Sequence, residues 1–174
     1  GAAAGAQAAV GAAGPEPRIS ETDTGVSFQL RNDDPGSAHR VEAASERVRA
    51  ALPAVFEALG ITGAGADAAG RVFGNPRIAA TRVAGERASH WVRCGNAAGA
   101  GPSATGGYRT ELSVLVTLKP DGAGTWVTTQ VGGTAHSVAG TSSGGVLCVS
   151  NGLLEERIAE ALAARLAGPL PRAR

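Results

Sequence analysis

Tyr108-Arg109-Thr110-Glu111-Leu112-Ser113-Val114-Leu115-Val116-Thr117-Leu118-Lys119 runs through Pro120-Asp121-Gly122-Ala123-Gly124 into Thr125-Trp126-Val127-Thr128-Thr129-Gln130-Val131, and the stretch continues to Ala135. Leu112, Val114, Val116 and Leu118 fall on every second position with Glu111, Ser113, Thr117 and Lys119 between them, the period of a half-buried strand. Leu115 breaks the polar row. Pro120 sets φ and the glycines of the turn are free to take φ > 0, so the chain reverses and the β-rich run from Thr125 returns as a hairpin partner. If Leu118 stands opposite Val127, then Val116 meets Thr129 and Val114 meets Val131 on one face, the expected core. Leu115 then meets Gln130 and Lys119 meets Trp126 on the other. A slip of one residue would exchange the faces.

Working outward, the chain of 174 residues has the length of one domain, and its 43% apolar content allows a packed core without a metal or a partner. With 3% aromatic residues, that core must be built from Val, Leu, Ile and Ala. The 16 basic and 15 acidic residues nearly cancel, and the arginines are scattered, so no nucleic-acid footprint is drawn. No apolar run approaches the roughly 20 residues needed to cross a bilayer as a helix. The first residues, Gly1-Ala2-Ala3-Ala4-Gly5-Ala6-Gln7, do not include Met. This suggests a processed N-terminus, with a cloning scar as the plainer alternative. Residues 1 to 17, nearly all Ala, Gly and Pro, read as a disordered tether of the kind that follows a lipid-modified cysteine, residues 18 to 168 as one domain, and residues 169 to 174 as a tail.

Cys94 and Cys148, each in a strand-like run and with no CxxC, fit one structural disulfide and thereby an oxidising, extracytoplasmic compartment. Two buried free thiols are the alternative. Val26, Phe28 and Leu30 alternate within a strand over residues 24 to 31. Ser37 then caps a helix whose stripe is Val41, Val48, Leu52, Val55 and Leu59, kinked or split at Pro53 and stopped at Gly60. Residues 63 to 70 read as a loose connector, and residues 71 to 73 and 77 to 83 as two short strands broken at Gly74-Asn75-Pro76. Residues 88 to 94 form a strand with His90, Val92 and Cys94 on one side and Ser89, Trp91 and Arg93 on the other. Residues 95 to 107 form a long glycine-rich loop. The last element is a helix capped by Ser150 or Asn151, with Glu155 and Glu156 at its positive end, a stripe of Leu154, Ile158, Leu162 and Leu166, and a stop at Gly168-Pro169.

The expected architecture is α+β, a curved antiparallel sheet with an N-terminal and a C-terminal helix packed on one face. Across residues 24 to 167 this order resembles the helix-grip layout of START-like lipid-binding domains and of the repeated domains of the BamC lipoprotein. The chain also resembles a group of secreted bacterial proteins through Leu52-Pro53-Ala54-Val55-Phe56 with Leu59-Gly60-Ile61, Gly74-Asn75, Cys94-Gly95, and Cys148-Val149-Ser150 with Gly152-Leu153-Leu154-Glu155. That resemblance implies an extracytoplasmic address and brings no activity with it.

Chemistry-bearing motifs are few. Gly140-Thr141-Ser142-Ser143-Gly144 matches G-x-S-x-G, with His136 near in sequence, but a strand rather than a helix follows it, so a glycine-rich turn is the better reading. A zinc site would need His90, Cys94, Cys148 and His136 to converge, and the cysteines are better spent on each other. His39 is expected on the helix surface. The single lysine, Lys119, lies in no phosphate-binding loop, so no cofactor is expected. The polar-parity face of the sheet is the candidate binding surface, with Trp91, Leu115 and Trp126 beside Arg93 and Lys119, because exposed aromatics ringed by cations mark interfaces. A non-catalytic domain that binds another envelope component through this face or the glycine-rich loop is the leading expectation. A carrier of a small apolar ligand, with a pocket lined by Val41, Val55, Leu59 and Val114, is the second. A hydrolase using Ser142 is the third.

Overall fold

The computed structural model describes residues 20 to 22, 25 to 27, 37 to 94, 107 to 138 and 145 to 168. The chain falls into two compact units, Gly1–Arg31 and Asn32–Arg174. In the first, β1 (Ser20–Thr22) and β2 (Gly25–Ser27) pair antiparallel in a small hairpin. The tether, the tail, Phe28 to Arg31, the glycine-rich loop and the G-x-S-x-G motif all lie outside the described residues.

The second unit is α+β. Its strands in chain order are β3 (Ala38–Val41), β4 (Gly65–Ala66), β5 (Val72–Ile78), β6 (Arg82–Val83), β7 (Glu86–Arg87), β8 (Val92–Cys94), β9 (Tyr108–Asp121), β10 (Gly124–Ser137) and β11 (Val146–Ser150). Its helices are α1 (Ser45–Ala58) and α2 (Leu153–Ala167). Seven strands form one antiparallel sheet in the order β4-β5-β9-β10-β11-β8, with β3 beside the first half of β10 where β11 does not reach. The strand of this sheet that precedes α1 is β3, and of the strand expected over residues 24 to 31 the described part is β2, which pairs with β1.

The central hairpin has the register read from the alternation: Leu118 opposite Val127, Val116 opposite Thr129, Val114 opposite Val131, and Lys119 opposite Trp126. Leu112, Val114, Val116, Leu118, Val127 and Val131 are buried. They share one core with Val48, Leu52, Val55 and Phe56 of α1 and Leu154, Ile158 and Leu162 of α2. Both helix stripes thus dock on the same side of the sheet, and burying each such side chain contributes about 1.5–3 kcal/mol.

Helix α1 begins later than its apolar spacing predicts. Residues 38 to 41 extend along β10, pairing Val41 with Thr125 and His39 with Val127, because that edge of β10 offers unsatisfied backbone groups that a helix there could not serve. His39 is consequently half-buried on a strand instead of lying on a helix surface. Ser37 does not cap the helix; the N-cap is Ala44. Ser45 turns its hydroxyl inward to Thr125 at 3.1 Å, and Thr125 Oγ1 donates to the Ala43 carbonyl at 2.7 Å, which ties the helix start to β10. Pro53 neither ends nor splits the helix and sits on its exposed side. Gly60, at φ 68°, closes α1 as expected: Ile61 N–H reaches the Phe56 carbonyl at 2.8 Å and Gly60 N–H that of Glu57 at 3.0 Å, a Schellman motif.

Residues 63 to 70 are more ordered than a connector. Asp67 accepts the N–H groups of Arg71 at 2.7 Å and Val72 at 2.9 Å, turning β4 back onto β5. Those bonds, led by Val72, hold the Asp67 carboxyl below its ordinary range. Gly74-Asn75-Pro76 does not break a strand pair into a hairpin; it lies within β5, with a register shift between Asn75 and Ile78 that accommodates Pro76. Gly74 passes so close to β9 that an added Cβ would stand 2.1 Å from the Val114 carbonyl oxygen. Helix α2 starts after Gly152 at φ 86°, where Ser150 Oγ accepts Gly152 N–H at 3.0 Å and Asn151 Oδ1 accepts Leu153 N–H at 3.2 Å. Of the two acids at the start of α2, Glu155 is buried, while Glu156 is exposed.

Candidate binding surface on the open sheet face

Period-two alternation that sends Val114, Val116 and Val127 inward sends Leu115, Thr117, Lys119, Trp126 and Thr128 to the opposite face, away from both helices. Trp126 lies on β10 directly between Lys119 of β9 and Arg40 of β3 and is 41% exposed. Arg40, which sequence reasoning did not include, arrives through the β3 pairing. Its Nε donates to Asp121 Oδ2 at 2.7 Å, and a second nitrogen pairs with Glu42. The Asp121 bond, with Glu42 adding to it, holds the guanidinium above its ordinary pKa. Lys119 has no acidic partner among the described residues.

Leu115 is on the same face, partly buried opposite Gln130. Arg93 is exposed on β8, opposite Val149 of β11, which in turn pairs with Gly132 of β10, so it occupies the same face far from Trp126. Trp91 does not join them. The chain winds through a 3-10 turn at Ala88–His90 before β8, and this rotates the indole into the core, where it is 3% exposed and its Nε1–H donates to the Val83 carbonyl at 3.0 Å. The alternation read over residues 88 to 94 assumed an extended chain that begins only at Val92. Asn151 holds the turn, donating from Nδ2 to the His90 carbonyl at 2.7 Å and from its backbone N–H to that of Trp91 at 3.2 Å.

The far end of the face carries a second patch. Leu147 and Val149 are 56% and 68% exposed, and Glu111 stands 3.7 Å from Arg77 and 3.8 Å from His136. The alternation of Val146-Leu147-Cys148-Val149 about the buried Cys148 is the sequence signal for the two exposed β11 residues, Leu147 and Val149.

Cys94 and Cys148 form a disulfide, opposite one another in the β8–β11 register. It withdraws both sulfurs from the metal alternative, and among the described residues no cluster of three or more His, Cys, Asp or Glu could hold a metal ion. Ser142 lies outside the described residues. Of the residues named for a ligand pocket, Val55 and Val114 are buried and Val41 and Leu59 partly buried in the core. An open groove of about 270 Å³ lies elsewhere, floored by Phe56, Ile61 and Phe73 with Glu57 at its edge, the two phenylalanine rings edge to face at 5.1 Å. No helix among the described residues is long and apolar enough to cross a membrane. No family model, curated protein or solved structure matches the chain.

Proposed function

We propose that the chain is a non-catalytic, extracytoplasmic binding domain that engages an envelope component through the open face of its sheet. The observation that carries this reading is Trp126, 41% exposed near the β9–β10 turn on a face that neither helix covers, set between Lys119 and Arg40 in the register. An aromatic ring of that size left in water costs solvation free energy that a partner would recover, and aromatic and Arg side chains dominate binding energy at interfaces. The Cys94–Cys148 disulfide supports an oxidising compartment, since such bonds persist outside the cytosol.

The test is retention of the purified chain on isolated bacterial envelope fragments. Trp126→Ala and Lys119→Glu should release it, whereas Glu160→Ala, on the exposed side of α2, should not. Equal retention of all three variants would overturn the reading.

A carrier of a small apolar ligand is the second reading, favoured by the Phe56–Ile61–Phe73 groove. Saturable binding of a naphthalene-sulfonate dye that is lost in Phe73→Ser, without loss of fold, would support it over the first.

A further inference from the structure

Trp126 has polar neighbours. In the strand register it lies between Lys119 and Arg40, and the next residue on the same side of β10, Thr128, faces Thr117. Protein hot spots place an aromatic inside a collar of side chains that exclude water. Here the collar is hydroxyl and charged groups, which stay hydrated and present hydrogen-bonding atoms. The ligand such a surface fits alternates flat apolar faces with hydroxyls. A pyranose ring does so, laying its C–H bonds against the indole while its hydroxyls reach the side chains around it.

Charge narrows the class. Arg40 is already balanced by Asp121 and Glu42. Lys119 beside the indole, and Arg93 further along the same face, have no acidic partner among the described residues. Arg93 lies on the row of Gly132, about 20 Å along β10 from Trp126 at the usual strand rise, so a linear polyanion crossing the face would meet both cations. Building on the reading of this face as the binding surface, we infer that its ligand is an acidic saccharide chain, with a sugar ring on Trp126, a carboxylate at Lys119 and hydroxyls toward Thr117 and Thr128.

The experiment titrates the whole chain with oligogalacturonate, with its methyl ester, which keeps the ring and loses the charge, and with poly-L-glutamate, which has the charge and no ring. Calorimetry reads affinity and tryptophan emission reads the indole. Oligogalacturonate should bind and shift the emission of the exposed tryptophan, the ester should bind about tenfold more weakly, and poly-L-glutamate should leave the emission unchanged. Trp126→Ala should weaken oligogalacturonate about tenfold or more, and Lys119→Met should weaken the acid form but not the ester. Both side chains are solvent-facing, so matching melting curves verify the fold of each variant.

Binding of poly-L-glutamate with the same loss in both variants would identify an acidic polypeptide as the ligand and overturn the saccharide inference alone. Absence of oligogalacturonate binding while envelope retention still depends on Trp126 would do the same. If neither saccharide binding nor retention depends on Trp126, the inference and the binding-face reading both fall.

Discussion

Trp91 and Val83 are joined by a hydrogen bond of 3.0 Å from the indole Nε1–H to the carbonyl oxygen, both residues being buried. The bond fastens the short β6–β7 hairpin to the 3-10 turn that leads into the disulfide-bearing strand. Trp91→Phe leaves the Val83 carbonyl without its donor in a dry site and should cost about 1–3 kcal/mol in urea unfolding, while Trp126→Phe should stay within about 0.5 kcal/mol. Iodide should quench Trp126 emission and spare that of Trp91 in the native protein.

Strand β8 pairs through three residues with β11, and the Cys94–Cys148 bond makes that attachment covalent. With a sequence separation of 54 between the cysteines, the chain-entropy model assigns the cross-link about 4 kcal/mol. The Cys94→Ala/Cys148→Ala double variant should lose a stability of that order by denaturant titration, and native wild type should show no titratable thiol from this pair. Two reactive thiols in the native chain would remove the argument for an oxidising compartment.

Thr125 is wholly buried, donating to the Ala43 carbonyl and meeting Ser45 Oγ. Thr125→Val keeps the shape and strands the carbonyl, so it should cost about 1–3 kcal/mol, more than Thr117→Val on the open face. Chemical denaturation of the two variants compares them directly.

Gly74→Ala sets a methyl 2.1 Å from a backbone oxygen of β9, a clash that no side-chain rotation relieves. Displacement of β5 should cost about 1–3 kcal/mol, whereas Gly65→Ala, with nothing within 4 Å of its added carbon, should be near neutral. Thermal melts of the pair decide it.

His39 has its Nε2 buried without a hydrogen-bond partner among the described residues, and burial holds its pKa below 6.5. The unfolded chain therefore binds this proton more readily than the folded one. Stability should be fully present above pH 6.5 and decline as the pH falls below it, levelling once the folded imidazole also protonates. His39→Leu should flatten that part of the melting-temperature profile. The lowered pKa of Asp67 acts in a separate window: its contribution is present above pH 3.8 and is lost as the pH falls through the folded value.

The features read correctly from sequence are those with a local cause. Alternation over residues 112 to 118 dictates which side of β9 is buried, a one-residue slip would have put polar groups in the core, and Gly60 stops α1 because the left-handed position there favours glycine. Trp126 was placed on the open face by the same parity. Trp91 was misplaced because a 3-10 turn changes side-chain direction without altering the pattern of residue types.

What the linear chain determined by itself was therefore the hairpin register, the apolar stripe of α1 from Val48 onward and that of α2, the cysteine pair and the exposed indole, since periodicity and turn chemistry act within a few residues of one another. Tertiary structure decided the rest. Only the free edge of β10 could recruit residues 38 to 41 as a strand and so bring Arg40 beside Trp126. Likewise only the packed core could draw in Trp91, because an open backbone edge and a buried carbonyl at Val83 are demands set by residues distant in sequence.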